Sequence, residues 1–523
     1  MNKITHHYFL IALITAGLSC DAFAADTIPV PAGSRIFEMM PVIYPWMGTS
    51  NPAALSVSDI GKMSFAQAGV MHKDDDIKLT QQPGITTSYH AATEGFMKLG
   101  RLSLFGSFRY ANNRYDDLIY NGTLMFNTLN PYLLGDSVSA RQFIEGFNMK
   151  GGLSYQVNNR ITIAANGEYT SDVGAKQKDP RNENTISLLK VSPGIIYDLG
   201  KTKIGLSGSV YTTSNEISYS VEGNWNQNLF VFLGLGYFRP ELNISSYSQW
   251  YTGKGYAGAL QASYTSGNIF AVAELSYDHF NEEARSGSSF RLIDGIAEIN
   301  HISFTGLLRI TKGKALHLVS LDGSLKAMNG DEILQRSYTV NKGTYSYDSL
   351  ATVSWIKNKH MISDINADAQ YSFIVFDRQG NIDIETGGGV LFEYFSTEHF
   401  PVQSYGFYNT TNLRGSLYAK KLFKFDNLMI TPGIDACYRM NLGSDISYIV
   451  QPLSIPEMIY HDFNVTRADM IRGEISLRLE LPVNSKFINS LYMVSEASYG
   501  TTMGSEAGDL SGYWYSAAAG ITF

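Results

Sequence analysis

The sequence predicts an all-β chain, a closed antiparallel transmembrane β-barrel of about 18 strands (roughly 14 to 20 fit the pattern), with short periplasmic turns and long extracellular loops. Three observations carry this. Segments of about ten residues that alternate apolar and polar side chains recur from residue 62 onward without a helical period. Their connections alternate between tight turns and long loops, a sorting by side that a soluble β-sandwich does not need. The final segment, Tyr513-Trp-Tyr-Ser-Ala-Ala-Ala-Gly-Ile-Thr-Phe523, is amphipathic and ends on an aromatic residue. Composition agrees: aromatics are 13%, with 33 Tyr suited to interfacial girdles, while Pro numbers only 15 and charged residues are 17%.

Residues 1–24 read as a secretory leader. A weakly basic start precedes an apolar run over residues 8–20 and a small-x-small site at Ala22-Phe-Ala24, too short to cross a bilayer. Cys20 suggests a lipoprotein signal, but Gly17-Leu-Ser-Cys20 lacks the large aliphatic residue usual three places before the cysteine. Beyond the leader Cys437 stands alone, so no internal disulfide is expected. No later window holds eighteen consecutive apolar residues. The net charge of −8 argues against nucleic acid as a partner.

Residues 25–61 should form an irregular amino-terminal segment reaching into the lumen, because Pro29, Pro31, Pro41, Pro45 and Pro52 forbid a long regular element. Within it, Trp46-Met-Gly-Thr-Ser-Asn-Pro-Ala-Ala-Leu55 resembles the start of fatty-acid-transporter-like barrels, where Asn-Pro-Ala precedes the first strand and enters the lumen.

The barrel is expected over residues 62–523. Residues 62–71 rise to an acidic tip at Asp74-Asp-Asp76, and 88–99 return to a turn at Gly100-Arg101. In 102–110, Leu102, Leu104, Phe108 and Tyr110 share one face against Ser103, Ser107 and Arg109. A long loop at 111–141 follows. Strands 146–157 and 161–170 meet at Asn158-Asn159, where Asn tolerates positive φ. Strands 187–197 and 203–213 meet at Asp198-Leu-Gly-Lys201, 255–265 and 269–278 at Ser266-Gly-Asn268, and 296–311 and 316–326 at Lys312-Gly-Lys314. The remainder is 366–376, 384–396, 412–424, 428–440, 470–481, 488–500 and 513–523. Both chain ends then share one side and the strand number is even. Residues 344–357 find no place in this count.

The terminal strand resembles the targeting strand that outer-membrane assembly machinery recognises and that closes the barrel against the first strand. With the leader, the Trp46 to Ala53 segment and the strand rhythm, the chain resembles an uncharacterised outer-membrane β-barrel family of Bacteroidota that carries a domain-of-unknown-function label. The resemblance implies a bacterial outer-membrane location with lipid and barrel-assembly machinery as partners, and it names no substrate.

Chemistry is sparse. Asp278-His279 and His461-Asp462 sit near expected loop edges without a recognisable catalytic motif, and no Gly-x-Ser-x-Gly occurs. His72 with Asp74, Asp75 and Asp76 reads as a solvated tip. No metal or cofactor site is expected, and no enzyme. Inward charges, among them Arg472, Glu474, Arg478 and Glu480, either form a selective constriction or pair across strands. The loop 215–254 carries Trp225, Phe230, Phe232, Tyr237, Phe238, Trp250 and Tyr251, too apolar for a free loop. It should pack on other loops, enter the lumen, or hold a ligand or partner. Two functions fit: a channel or transporter-like protein for a small or apolar solute, or a non-conducting scaffold docking a surface, secreted or uptake-complex protein.

Overall fold

The computed structural model describes residues 33–58, 60–124, 129–223, 228–242, 245–287, 291–343, 345–400, 405–483, 485–504 and 508–523. The leader expected over residues 1–24 falls outside them, as does Trp225.

Three short helices, α1 (Arg35–Glu38), α2 (Met40–Ile43) and α3 (Ala54–Val57), precede the strands. The strands run β1 (Met63–Asp75), β2 (Ile85–Leu99), β3 (Leu102–Leu118), β4 (Leu134–Gly135), β5 (Ala140–Gln156), β6 (Ile161–Lys176), β7 (Arg181–Asp198) and β8 (Thr202–Ser220). Next come β9 (Leu229–Gly234), β10 (Tyr237–Glu241), β11 (Ser246–Ser266), β12 (Ile269–Gly287), β13 (Leu292–Lys312), β14 (Ala315–Lys342) and β15 (Tyr345–Phe376). The last are β16 (Ile382–His399), β17 (Gly406–Lys421), β18 (Phe423–Phe425), β19 (Leu428–Ser447), β20 (Asp469–Pro482), β21 (Ser490–Met503) and β22 (Ser511–Thr522). Helix α4 (Pro456–Arg467) lies between β19 and β20.

The main sheet holds 19 strands, of which β18 merely continues β17 along β19, so 18 go round. All are antiparallel to their neighbours. Closure is made by β22 on β1, with Gly69 opposite Ala518, and is completed by backbone bonds between Ser64 and Phe523 at 2.8 and 2.9 Å. No edge is left in the wall.

Alternation divides its two faces. Along β11, Gln261 and Ser263 are buried inside while Leu260 stays 60% exposed outside. Along β20, Arg478 and Glu480 are buried inside and Ile475 is 64% exposed. Leu206, Leu417 and Ile434 repeat the outward pattern on β8, β17 and β19. A ring of bare aliphatic side chains is far more than scattered surface apolarity.

Connections sort by end. One end has tight turns such as Gly100-Arg101 and Gly313-Lys314, where Gly100 and Gly313 take φ of 63° and 59° that a side chain would resist. The Asn158-Asn159 turn departs from expectation, since neither residue has positive φ. Asn158 instead accepts bonds from the Arg160 and Ile161 amides at 2.8 and 2.9 Å, an Asx turn.

Several stretches assigned to loops are strand. Residues 111–118 extend β3, and Trp250 and Tyr251 belong to β11. Residues 345–357 belong to β15, whose 32 residues pair with the 28 of β14. Beyond Glu332 and His360 the neighbours β13 and β16 end, so the tip of this hairpin is a two-stranded ribbon. At about 3.3 Å per residue its ten-odd pairs project roughly 30 Å past the wall. The common reason is that a strand beyond the apolar ring needs no greasy outer face, so its alternation vanishes.

If lipid bathes the outer face, Ile475→Arg near the middle of β20 should cost about 2–4 kcal/mol of folding stability in lipid vesicles. Unchanged stability, read by denaturant titration in vesicles, would contradict the assignment.

Candidate functional site

The interior is filled at two levels. At the short-turn end, residues 33–58 cross the lumen as a chain of single turns. Pro41 and Pro45 occupy first-turn positions of α2 and of the 3-10 turn Pro45–Gly48, which start helix but let it run only briefly.

Wall strands hold this segment on almost every side. Ser34 N donates to Glu480 Oε1 at 2.7 Å on β20, and Arg478 pairs with Glu38 and Ser34. Arg35 bridges to Glu385 at 2.7 Å on β16, and Arg309 on β13 donates to the carbonyls of Val42 and Ile43 at 2.8 and 2.9 Å. Trp46 Nε1 donates to Ser263 Oγ at 3.1 Å. Ser50 gives both its amide and hydroxyl to Glu274 on β12, at 2.9 and 2.8 Å. Asn51 Nδ2 reaches Gln261 at 3.0 Å and the Ile195 carbonyl at 3.1 Å, while its Oδ1 caps the Ala53 amide. Ser56 donates to the Ser154 carbonyl at 3.1 Å on β5. Only a segment inside a closed wall can touch β5, β7, β11, β12, β13, β16 and β20 together.

Apolar contacts complete the seat. Ile36, Met39 and Ile43 pack on inward-facing Leu316, Leu318, Ile374, Phe376 and Ile382. The lumen wall is therefore locally greasy where this stopper sits.

The long-loop end is closed differently. Strands β9 and β10 form a hairpin that takes β4 as a third strand, Leu134 pairing with Val231. This small sheet lies within the wall: Tyr132, Leu134, Leu229 and Val231 pack on Ile217, Tyr219, Tyr247 and Tyr251. Helix α4 covers it through Met458, Ile459 and Phe463. Arg239 on β10 anchors it to buried Asp294 at 2.7 Å, and Asn130 bonds Glu282. Loss of Arg239 would leave the buried Asp294 carboxylate uncompensated and would be strongly destabilising.

The aromatic residues singled out in sequence come together in part. Phe230 lies 4.8 Å from Phe238 and 6.2 Å from Phe232, ring centre to centre, and Tyr237 stacks on Tyr448 at 5.4 Å. Tyr251 faces the cap, whereas Trp250 lies on the other face of β11 under the Arg291 guanidinium at 4.1 Å. Of the inward charges, Arg478 and Glu480 hold the stopper; Arg472 lies 4.0 Å from Asp75 instead. Glu474 faces the lumen without touching residues 33–58 among the described contacts. Asp278 and His279 cannot act as a pair, because adjacent strand residues point to opposite faces. Asp278 accepts from Tyr211 at 2.6 Å and His279 bonds Asn300 at 3.0 Å. His72 bonds Thr87, and among the described residues no three His, Cys, Asp or Glu converge on a metal position. Sequence reasoning placed Glu274 among the inward charges but missed Gln261, Arg309 and Asp294, whose isolated polar positions on strands carry no local signal of their distant partners.

A family profile described as "Family of unknown function (DUF6850)" matches residues 52–523. The chain belongs to this family. No curated protein matches it. Among solved structures it is similar to the copper transporter OprC at 7% identity, covering 89% of this chain and 81% of that one, TM-score 0.40. The outer membrane transporter YddB from Escherichia coli matches at 8%, 89%, 81% and 0.39. The FrpB iron transporter from Neisseria meningitidis matches at 9%, 90%, 83% and 0.39. What those proteins carry is not transferred by likeness at this level.

Asp462 on α4 accepts from the Thr80 amide and hydroxyl at 2.7 and 2.8 Å, tying the loop after β1 to the cap. Burial outweighs these bonds and pushes its carboxyl up to about 6. The folded cap thus binds this proton more tightly than an opened one, and its stability falls as pH rises from about 4 through about 6. Amides of residues 77–82 and of α4 should exchange more slowly at pH 5 than at pH 7.5, after correction for intrinsic rates, and Asp462→Asn should flatten the difference. Faster exchange at pH 5 would reverse the assignment.

Proposed function

We propose that this chain is an outer-membrane barrel that conducts a small solute in a gated, transporter-like manner, with residues 33–58 as the stopper. One observation carries the reading: the stopper is joined to the wall by separable polar contacts and small apolar patches, not built into the wall as strand. Each polar contact contributes on the order of 1 kcal/mol net, more where a charge takes part, so thermal release of the whole set is rare and the resting barrel is shut. Between stopper and cap lies a cleft of about 170 Å³ whose border includes Ser192, Ser207, Ser209, Asp278 and Lys190, polar groups suited to a hydrated solute. The outward apolar ring supports a lipid surround, and the exposed Phe523 end of β22 suits recognition by assembly machinery. The reading contains no catalytic step.

A second reading, a non-conducting scaffold for a surface or uptake-complex protein, draws on the projecting ribbon. Its Tyr338, Tyr345, Tyr347 and Trp355 are each 45% exposed or more.

Planar-bilayer recording separates the two. The full chain should be silent, a chain lacking residues 33–58 should give small steps, and replacing residues 229–241 as well by a Gly-Ser linker should enlarge them. A doubly altered chain that inserts, shows the heat-modifiable gel mobility of a folded barrel and stays silent would retire the conduit in favour of the scaffold.

A further inference from the structure

A second cleft, of about 110 Å³, lies inside the cap between the β9–β10 hairpin, α4 and the wall. Its size suits a small molecule, and its lining has the composition of a small-molecule site: Leu133, Phe232, Leu235, Phe395 and Met458 supply an apolar surface, interrupted by a few polar groups. No lysine or arginine is among the lining residues, whereas the Asp462 carboxylate is. An anion would therefore enter without a counter-charge and against a carboxylate, and a cation would give up its water for a carboxylate already held by the Thr80 amide and hydroxyl.

Within the cleft lining, His360 offers an open hydrogen-bonding position. It is only 2% exposed and its Nε2 lies 3.3 Å from Thr397 Oγ1, but its Nδ1 has no hydrogen-bond partner. Leaving such a nitrogen unpaired in the interior costs about 1–3 kcal/mol, and the fold carries that cost beside a cleft rather than in packed core. The hairpin is shaped to admit the ring. Gly234, at φ 100°, lies against the imidazole, and any side chain there would collide with it. Depending on tautomer, Nδ1 donates or accepts, so a hydroxyl, which does both, satisfies it in either state.

We propose that this cleft binds an uncharged, ring-sized amphiphile, its apolar body against Phe232, Phe395 and Met458 and its hydroxyl or carbonyl group on His360 Nδ1. The physiological meaning, a solute captured at the long-loop mouth before passage, rests on the conduit reading; the binding itself does not.

The test uses the full chain in lipid nanodiscs with three probes of one shape: benzyl alcohol, benzoate and benzylamine, each titrated by calorimetry against empty discs. Benzyl alcohol should bind saturably and at least tenfold more tightly than benzoate. His360→Leu should weaken benzyl alcohol about fivefold to tenfold, the worth of one hydrogen bond of about 1 kcal/mol. The same variant should change the melting temperature little, because removal of the unpaired nitrogen offsets loss of the bond to Thr397. Gln82→Trp, on a half-buried loop at the cleft wall, should abolish binding by filling space. Benzoate or benzylamine binding as tightly as the alcohol, unchanged affinity in both variants, or no heat above empty discs would each overturn the proposal. Binding without conductance would retire the conduit alone, and conductance without binding would retire the cleft alone.

Discussion

A sheet whose outer face is bare aliphatic side chain cannot leave backbone groups unpaired beside it, because hydrocarbon offers them no partner. Pairing β22 with β1 answers that constraint. Once the ring is closed, each strand has one face committed to the surroundings and one to an enclosed space, and the inner face is free to differ from strand to strand. That freedom is where the individuality of this barrel lies.

The inner face uses it to seat two stoppers of different kinds. Near the tight turns the wall turns apolar at Leu316, Leu318, Ile374 and Phe376, and single polar residues such as Glu480, Glu274 and Gln261 take the backbone ends and hydroxyls of a segment rich in proline. Near the long loops the wall offers Tyr219, Tyr247 and Tyr251 to the apolar face of a three-stranded sheet. Polar space remains between them.

The outer face was legible because lipid contact imposes a strict two-residue period: 102–110, 161–170 and 470–481 read directly as wall. The tight turns were legible where glycine takes positive φ, less so at Asn158, where a side-chain acceptor does the work. Legibility failed wherever lipid stopped dictating the outer face. Residues 345–357 form a ribbon with both faces exposed, so no alternation marks them, whereas Trp250 and Tyr251 looked like loop because here the inner face, packed on the cap, is the aromatic one. The site was legible only as composition. The aromatic run 229–238 announced that it must be covered, and the prolines of residues 25–61 announced irregularity, but the bonds that fix both span hundreds of residues, as from Ser34 to Glu480. His360 gave no signal at all, since a lone histidine on a strand reads like any other.

The central claim, that hydrocarbon lies against the outer face of the wall and not against its inner face, is most directly tested by nitroxide labels scanned along β20 in lipid vesicles. Labels at 471, 473, 475, 477 and 479 should collide with dissolved oxygen and be shielded from a water-soluble nickel chelate. Labels at 472, 474 and 476 should show neither strong oxygen contact nor the same depth profile. Equal nickel access at both sets would show water on both faces and contradict the account.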